Sequence, residues 1–299
     1  MTIQVSVGIP ASNEQENIGK LLTALLNQNT NRIRITEIIV ISSGSRDETN
    51  AIVTDLSQKQ PKIKLIKQSM REGKASAINE FLKAAHNQVV VLESADTIPL
   101  NHTIERLCLP FEDLNVGMTG AHPVPINGSD SFMGYLTHLQ WDLHNRIAIK
   151  RSKCGELVAF RKLFKEMPQD TAVDEAWIEY EIIRRKYNVV YVDDAFVFNK
   201  GPESVTDFLK QRRRINCGHI DLTKRTAFRV STTSFSTLLP ALVEVFPSKS
   251  LKKSFFLLSA FALEAICKML GYYDYFRNKD QHLIWEISKT TKNLGLYAS

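Results

Sequence analysis

The chain has 299 residues, 43% apolar and 23% charged, with a formal net charge of +6; this is globular composition, long enough for one large domain or two small ones with a core that needs no staples. Its four cysteines (Cys108, Cys154, Cys217, Cys267) lie far apart with no CxxC pair, which argues against a zinc site or a disulfide framework and suits a reducing cytoplasm; MTIQVSVGIP lacks the regions of a signal peptide, and no apolar run reaches about 18 residues, so no spanning helix is expected. Charge is divided along the chain: residues 200–299 carry 16 Lys+Arg against 8 Asp+Glu, and residues 1–199 carry 22 against 24, so the basic last third points to a polyanion such as a diphosphate, an anionic lipid or a nucleic acid.

Apolar strands alternate with helical patterns through the first half. Val5–Ile9 predicts a strand, and Ile18, Leu21, Leu22, Leu25 and Leu26 follow helical spacing. Ile38–Ile41 predicts a second strand, followed by a helix near 47–58, and Ile63–Ile66 a third. Ala75, Ile78, Leu82 and Ala85 share one helix face, and Val89–Leu92 predicts a fully buried fourth strand. The βαβα order predicts an α/β layered fold with a largely parallel sheet. Residues 110–160, rich in glycine, proline and aromatics, read as an irregular platform beside the cleft. A helix is expected over 174–186 and a strand over 189–192. The apolar segments 235–246 and 255–270, separated by Pro247 and KSLKK, fit either helices packed on the sheet or helices lying on an anionic membrane surface.

The strand ends carry the chemistry, because open α/β sheets bind ligands beyond the carboxyl ends of their strands. Pro10 is expected to stop the first strand; Asn13 reads as a cap for the next helix, and Glu14 as either a base contact or part of the cap. Ser42-Ser43-Gly44-Ser45-Arg46-Asp47 brings small residues and a helix N-terminus near a ligand, although Asp47 alone could be a cap. Arg71 and Lys74 flank Gly73 at a helix start, a phosphate-contact arrangement without P-loop spacing. Ser94-Ala95-Asp96 ends the fourth strand; Asp96 is either a ligand for a divalent cation or a turn cap. Asp174-Glu175 opens a helix, as dipole-stabilised first-turn acids or as a general base. Gln211-Arg212-Arg213-Arg214 could neutralise a diphosphate.

The order of these motifs, P-x-x-N-E, S-G-S-x-D-x-T, R-x-G-K-x-x-A-x-N, x-A-D, D-E, G-P-E-S and Q-R-R-R, resembles the family 2 glycosyltransferases of the GT-A fold over roughly residues 3–220. The resemblance implies a Rossmann-like, mostly parallel sheet flanked by helices, a transferase domain over 1–230 and a helical extension over 231–299. It implies a hexosyltransferase-like, inverting enzyme using a UDP- or GDP-sugar donor, a glycan or glycolipid acceptor, and Mg²⁺ or Mn²⁺. Pro10, Glu14, Ser43, Asp47, Arg71, Lys74, Ser94, Gln211 and Arg214 would bind the nucleotide sugar, Asp96 would hold the metal, and Glu175 or Asp174 would be the base. The chain departs from the family's pattern in four places. Ser42-Ser43 replaces an acid pair, Ser94 replaces the first Asp of DxD, Ile215 replaces the Trp of QxxRW, and the catalytic pair reads Asp-Glu. His219 is a candidate extra metal ligand. Nucleotidyl transfer, disfavoured by the absence of a glycine-rich loop after the first strand, and non-catalytic binding of nucleic acid or membrane are the competing readings. The arginines lack interleaved aromatics, so no nucleic-acid partner is expected. The expected location is the cytoplasm, with the inner face of the membrane if the 235–270 helices lie on lipid.

Overall fold

The computed structural model describes residues 2–230, 235–245, 250–277 and Leu294. One eight-stranded sheet is built from β1 (Ile3–Ala11), β2 (Ile33–Ser43), β3 (Ile63–Gln68), β4 (Val89–Leu92), β5 (Thr97–Pro99), β6 (Val116–Pro125), β7 (Val158–Arg161) and β8 (Asn188–Asn199), in the order β3-β2-β1-β4-β7-β6-β8-β5. β1 pairs in parallel with β2 and β4, β2 with β3, and β6 with β8. β7 runs antiparallel to β4 and β6, and β5 antiparallel to β8. The sheet is therefore mixed, with its parallel half in the region the strand-helix alternation covers.

β4 is buried on both faces: Val89 and Val91 enter one core, Val90 and Leu92 the other. The first core is closed by α1 (Ile18–Leu26), α2 (Thr49–Lys59) and α4 (Thr103–Cys108); the second by α3 (Lys74–Ala84), α6 (Asp174–Arg184) and α7 (Val205–Thr226). Gly8 on β1 is needed for this packing, since a Cβ there would come within 2.4 Å of the Phe81 ring on α3. β1 runs on through Pro10 to Ala11. Its pairing with β4 ends at Gly8, so a proline is tolerated two residues later.

Three expectations are corrected. Residues 110–160 are regular: they form β6, a 19-residue helix α5 (Phe132–Lys150) and β7. The apolar residues of α5 are spread around it because it packs on β6 and β8 on one side and on α8 (Phe235–Val245) and α9 (Leu251–Phe276) on the other. β8 extends to Asn199, well beyond residue 192. α9 is an uninterrupted 26-residue helix, long and apolar enough to cross a membrane by length and composition. Its acids Glu264 and Asp274 pair with Arg212 and Arg213 of α7, so the interruptions in the apolar run do not interrupt the helix.

Candidate active site

The loops after β1, β2 and β3 are tied to one another. Asn13 adopts a left-handed backbone (φ 54°) and does not cap α1, whose N-cap residue is Asn17. Instead its Oδ1 accepts from Arg46 N–H at 2.9 Å, and its own N–H donates to Ser45 Oγ at 3.1 Å. Asp47 accepts from the Thr49 hydroxyl (2.6 Å), Thr49 N–H (3.1 Å) and Gln15 N–H (3.1 Å); these bonds overcome its burial and hold its carboxyl below the usual range. Glu14 is buried, and its N–H donates to Thr49 Oγ1 at 2.8 Å. Ser43 Oγ accepts from Glu72 N–H at 3.1 Å. Gly44, at φ +60°, lets the Arg71 backbone approach where a Cβ would come within 2.5 Å of its nitrogen. Pro10, Glu14, Ser43, Asp47 and Arg71 are thus on one braced rim.

Lys74, the first residue of α3, was expected on the nucleotide side. It reaches across to α6, where its Nζ lies 2.7 Å from Asp174 Oδ2 and 2.8 Å from Glu175 Oε1. Burial opposes its charge, but Asp174 and then Glu175 overcome this and raise its pKa. The two acids separate. Burial and the neighbouring Glu175 raise Asp174, whereas Lys74 outweighs burial at Glu175 and lowers it. Access separates them too, with the Asp174 side chain 4% exposed and that of Glu175 21%.

Of the three arginines, Arg212 pairs with Glu264 at 2.9 and 2.5 Å, and Arg213 with the fully buried Asp274 at 2.8 Å. Both therefore bind α9. Arg214 is half-buried, and loss of solvation lowers it to about 10 against the opposing fields of Asp174, Glu175, Glu156 and Asp96; it is the arginine that faces the acids. Gln211 lies one turn earlier on α7. His219 is pushed down to about 3 by burial and by Lys153 and Arg212, so its surroundings are cationic.

Asp96 lies between β4 and β5. Sequence reasoning missed its neighbour Glu156, which precedes β7 at φ 60°. Burial, then Asp96 and Glu175, raise Glu156 to about 7. Glu93 is fully buried and accepts from the Thr97 hydroxyl. Burial, with Glu156 and Asp96 adding to it, outweighs that bond and raises Glu93 to about 8. No three Asp, Glu, His or Cys side chains are grouped as a metal site among the described residues. The donors beside Asp96 are nonetheless hard oxygens, and Oε2 of Glu93 and Oδ1 of Asn199 are buried without a hydrogen-bond partner. One or two carboxylates with substrate phosphates are the usual holding for Mg²⁺ or Mn²⁺, so the residues fit such an ion. A separate groove of about 1120 Å³ between α1, α4 and β8 is lined by Lys20, His102, Arg106 and Phe196. It contains none of the expected site residues.

The carboxylates Asp96, Glu156, Asp174 and Glu175, with Lys74 and Arg214 in their field, are thus gathered beyond the carboxyl end of β4. The sequence model described as Glycosyl transferase family 2 matches residues 6–168, and the chain belongs to that family of enzymes. It is 34% identical over 109 residues to "Probable glycosyltransferase YdaM" of Bacillus subtilis, covering 36% of this chain and 26% of that protein. It is 32% identical over 164 residues to "Dolichyl-phosphate beta-glucosyltransferase ALG5C" of Trichomonas vaginalis, covering 49% of each. The chain thus spans about a quarter to a half of these relatives. Among solved structures it resembles the mannosyltransferase PcManGT of Pyrobaculum calidifontis, in complex with GDP-Man and Mn²⁺, with TM-score 0.64, 19% identity and coverage of 93% of this chain and 88% of that one. At that identity the likeness establishes the fold.

Proposed function

We propose that residues 1–230 form an inverting, metal-dependent transferase that moves a sugar from a UDP- or GDP-sugar to a hydroxyl of a glycan or glycolipid. Glu175 carries this reading: it is the more accessible acid and the one Lys74 keeps ionised. Its carboxylate takes the proton of the acceptor hydroxyl. The acceptor oxygen forms its bond to the anomeric carbon as the bond to the diphosphate breaks on the opposite face, which inverts that carbon. Arg214 meets the charge that develops on the departing nucleoside diphosphate. Asp96 would hold a divalent cation, which when bound would neutralise the diphosphate. Asp174, buried beneath Lys74, positions the lysine.

The test is sugar transfer by the purified full chain across UDP- and GDP-sugars with Mn²⁺ or Mg²⁺. Glu175→Gln is expected to lower kcat by about 10²–10⁴-fold, and Asp96→Asn to weaken the metal requirement and turnover together. Full turnover in both variants with every accepted donor would refute the assignment.

For the acceptor side, we propose that α8 and α9 place the enzyme, cytoplasmic in this reading, on the inner face of a membrane. Support comes from the outer face of α9, where Leu251, Phe255, Leu258, Ile266, Met269, Tyr273 and Phe276 recur at helical spacing and are all exposed.

A further inference from the structure

We propose that Glu156 supplies the second carboxylate of the cation site, replacing across the sheet the acid that is missing at Ser94. The inference rests on the metal-dependent reading above and adds a residue that no motif of the chain indicated.

The argument starts from register. β4 and β7 are antiparallel, with Val91 opposite Ala159 and Leu92 opposite Val158. Ser94 and Glu156 each lie two residues beyond that last pair, at the same end of the two neighbouring strands. The β4 chain keeps its course beyond Leu92, since Glu93 N–H still donates to Gly8 O at 3.0 Å. On the β7 side Ala121 N–H donates to Leu157 O at 3.0 Å, and the positive φ of Glu156 (60°) turns the chain just ahead of it. Residues just past the end of adjacent paired strands stay near one another, so an acid at 156 can serve the space that an acid at 94 would serve.

Asp96 and Asn199 complete the picture. Asp96 immediately precedes β5, whose first residue Thr97 pairs with Asn199 of β8. Asn199 is 5% exposed, and its Nδ2 reaches Glu156 Oε1 at 3.5 Å. Its Oδ1 is buried and has no hydrogen-bond partner, and neither has Oε2 of the fully buried Glu93. A buried acceptor oxygen without a donor is costly. At Asn199, whose amide reaches Glu156, it marks a place that lacks positive charge. The chemical class that matches is an oxygen-seeking divalent cation, with Asp96 and Glu156 as protein ligands and phosphate oxygens or water in the remaining positions.

The probe is Mn²⁺, titrated into the full chain alone and with UDP or GDP, with free Mn²⁺ followed by its electron paramagnetic resonance signal. Wild type is expected to bind Mn²⁺ with one of the nucleotides. Glu156→Gln keeps the shape of the side chain and is expected to weaken that binding by about tenfold or more. The double variant S94D/E156Q is expected to regain it, because the carboxylate returns from the opposite strand. Glu156→Asp keeps the charge and withdraws the oxygens by one methylene; it gives a second reading should E156Q melt early, and weaker binding is expected there too. Wild-type Mn²⁺ affinity in E156Q or in E156D overturns the proposal and leaves metal dependence standing. Absence of Mn²⁺ binding by wild type with either nucleotide overturns metal dependence, and the proposal with it.

Discussion

Lys74 shows how one side chain sets the chemistry of its neighbours. Its ammonium touches both acids of the Asp174-Glu175 pair, and the pair divides the labour in consequence: the buried acid rises and the accessible one falls. Replacing it by Lys74→Met removes the cation that favours ionised Glu175. The Glu175 pKa then rises, so the base is deprotonated only at higher pH. The acid limb of the kcat/KM profile is expected to move up by roughly 1–3 units, with activity at pH 6 falling more than activity at pH 8.5. Loss of the cation also leaves two carboxylates in a poorly solvated place, a cost of about 3–5 kcal/mol when one member of a buried pair is removed, readable by urea unfolding at neutral pH. An unmoved acid limb in a folded K74M protein would show that Lys74 only supports the fold. The contact joins residues 101 apart in sequence, and for that reason the R-x-G-K motif suggested a phosphate ligand.

At the level of elements, Glu37 is the fastening of the parallel half. A register shift after Val5 aligns Ser6 of β1 with Glu37 of β2. The Glu37 carboxylate accepts from Ser6 Oγ (2.7 Å), Lys64 Nζ of β3 (2.7 Å) and the backbone N–H of His86 ahead of β4 (2.8 Å). Burial raises its proton affinity, but the His86 N–H, Lys64, Ser6 and the His86 ring together bring its pKa down to about 2. A depressed carboxyl stabilises the fold fully above its unfolded pKa of 4.5 and loses that contribution as pH falls toward 2. Glu37→Gln is expected to cost about 2 kcal/mol at pH 7, discounted for the solvent that reaches Lys64 and His86. The difference from wild type should close in denaturant melts as pH is lowered from 4.5 to 2; a constant difference would mean packing is at stake. Elements of this half were readable from sequence because β1, β2 and β4 are buried on both faces and end in small or acidic residues. α5 and the far half of β8 were not. α5 buries residues against both the sheet and the C-terminal helices, which blurs its periodicity, and β8 passes through exposed Asp193-Asp194 before reaching Asn199. The site divided likewise. Asp96, Glu175 and Arg214 lie on motifs with fixed spacing, whereas Glu156, proposed above as a ligand, precedes a neighbouring antiparallel strand with a positive φ that no local pattern announces.

For the whole molecule, the question is what the basic last third faces. Part of its charge is internal: Arg212 and Arg213 bind Glu264 and Asp274, and Arg225 binds Asp170 and Asp221. The helix crossing is close, since a Cβ at Gly271 would come within 2.7 Å of the Asn216 side chain. α9 is thereby fixed by a face that carries Leu257, Ala260, Cys267 and Gly271 beside the paired acids Glu264 and Asp274, and a second apolar face points outward with only 22% of the most apolar window buried. Exposed Lys252, Lys268 and Arg277 flank this face, as expected for a helix lying in the interface of an anionic bilayer. A helix held to α7 at both Glu264 and Asp274 is better suited to lie on a bilayer than to cross it. The purified chain is expected to float with vesicles containing phosphatidylglycerol and not with phosphatidylcholine alone, and to release partly at high salt. The double variant F255D/M269D leaves the α7 contacts untouched. It removes two side chains worth about 1.5–3 kcal/mol each at full burial, so partitioning should fall by more than tenfold. Wild type that stays in solution with both vesicle types would refute the lipid surface, and so would an F255D/M269D-sensitive dimer on gel filtration, which would assign the same stripe to a second copy of the chain.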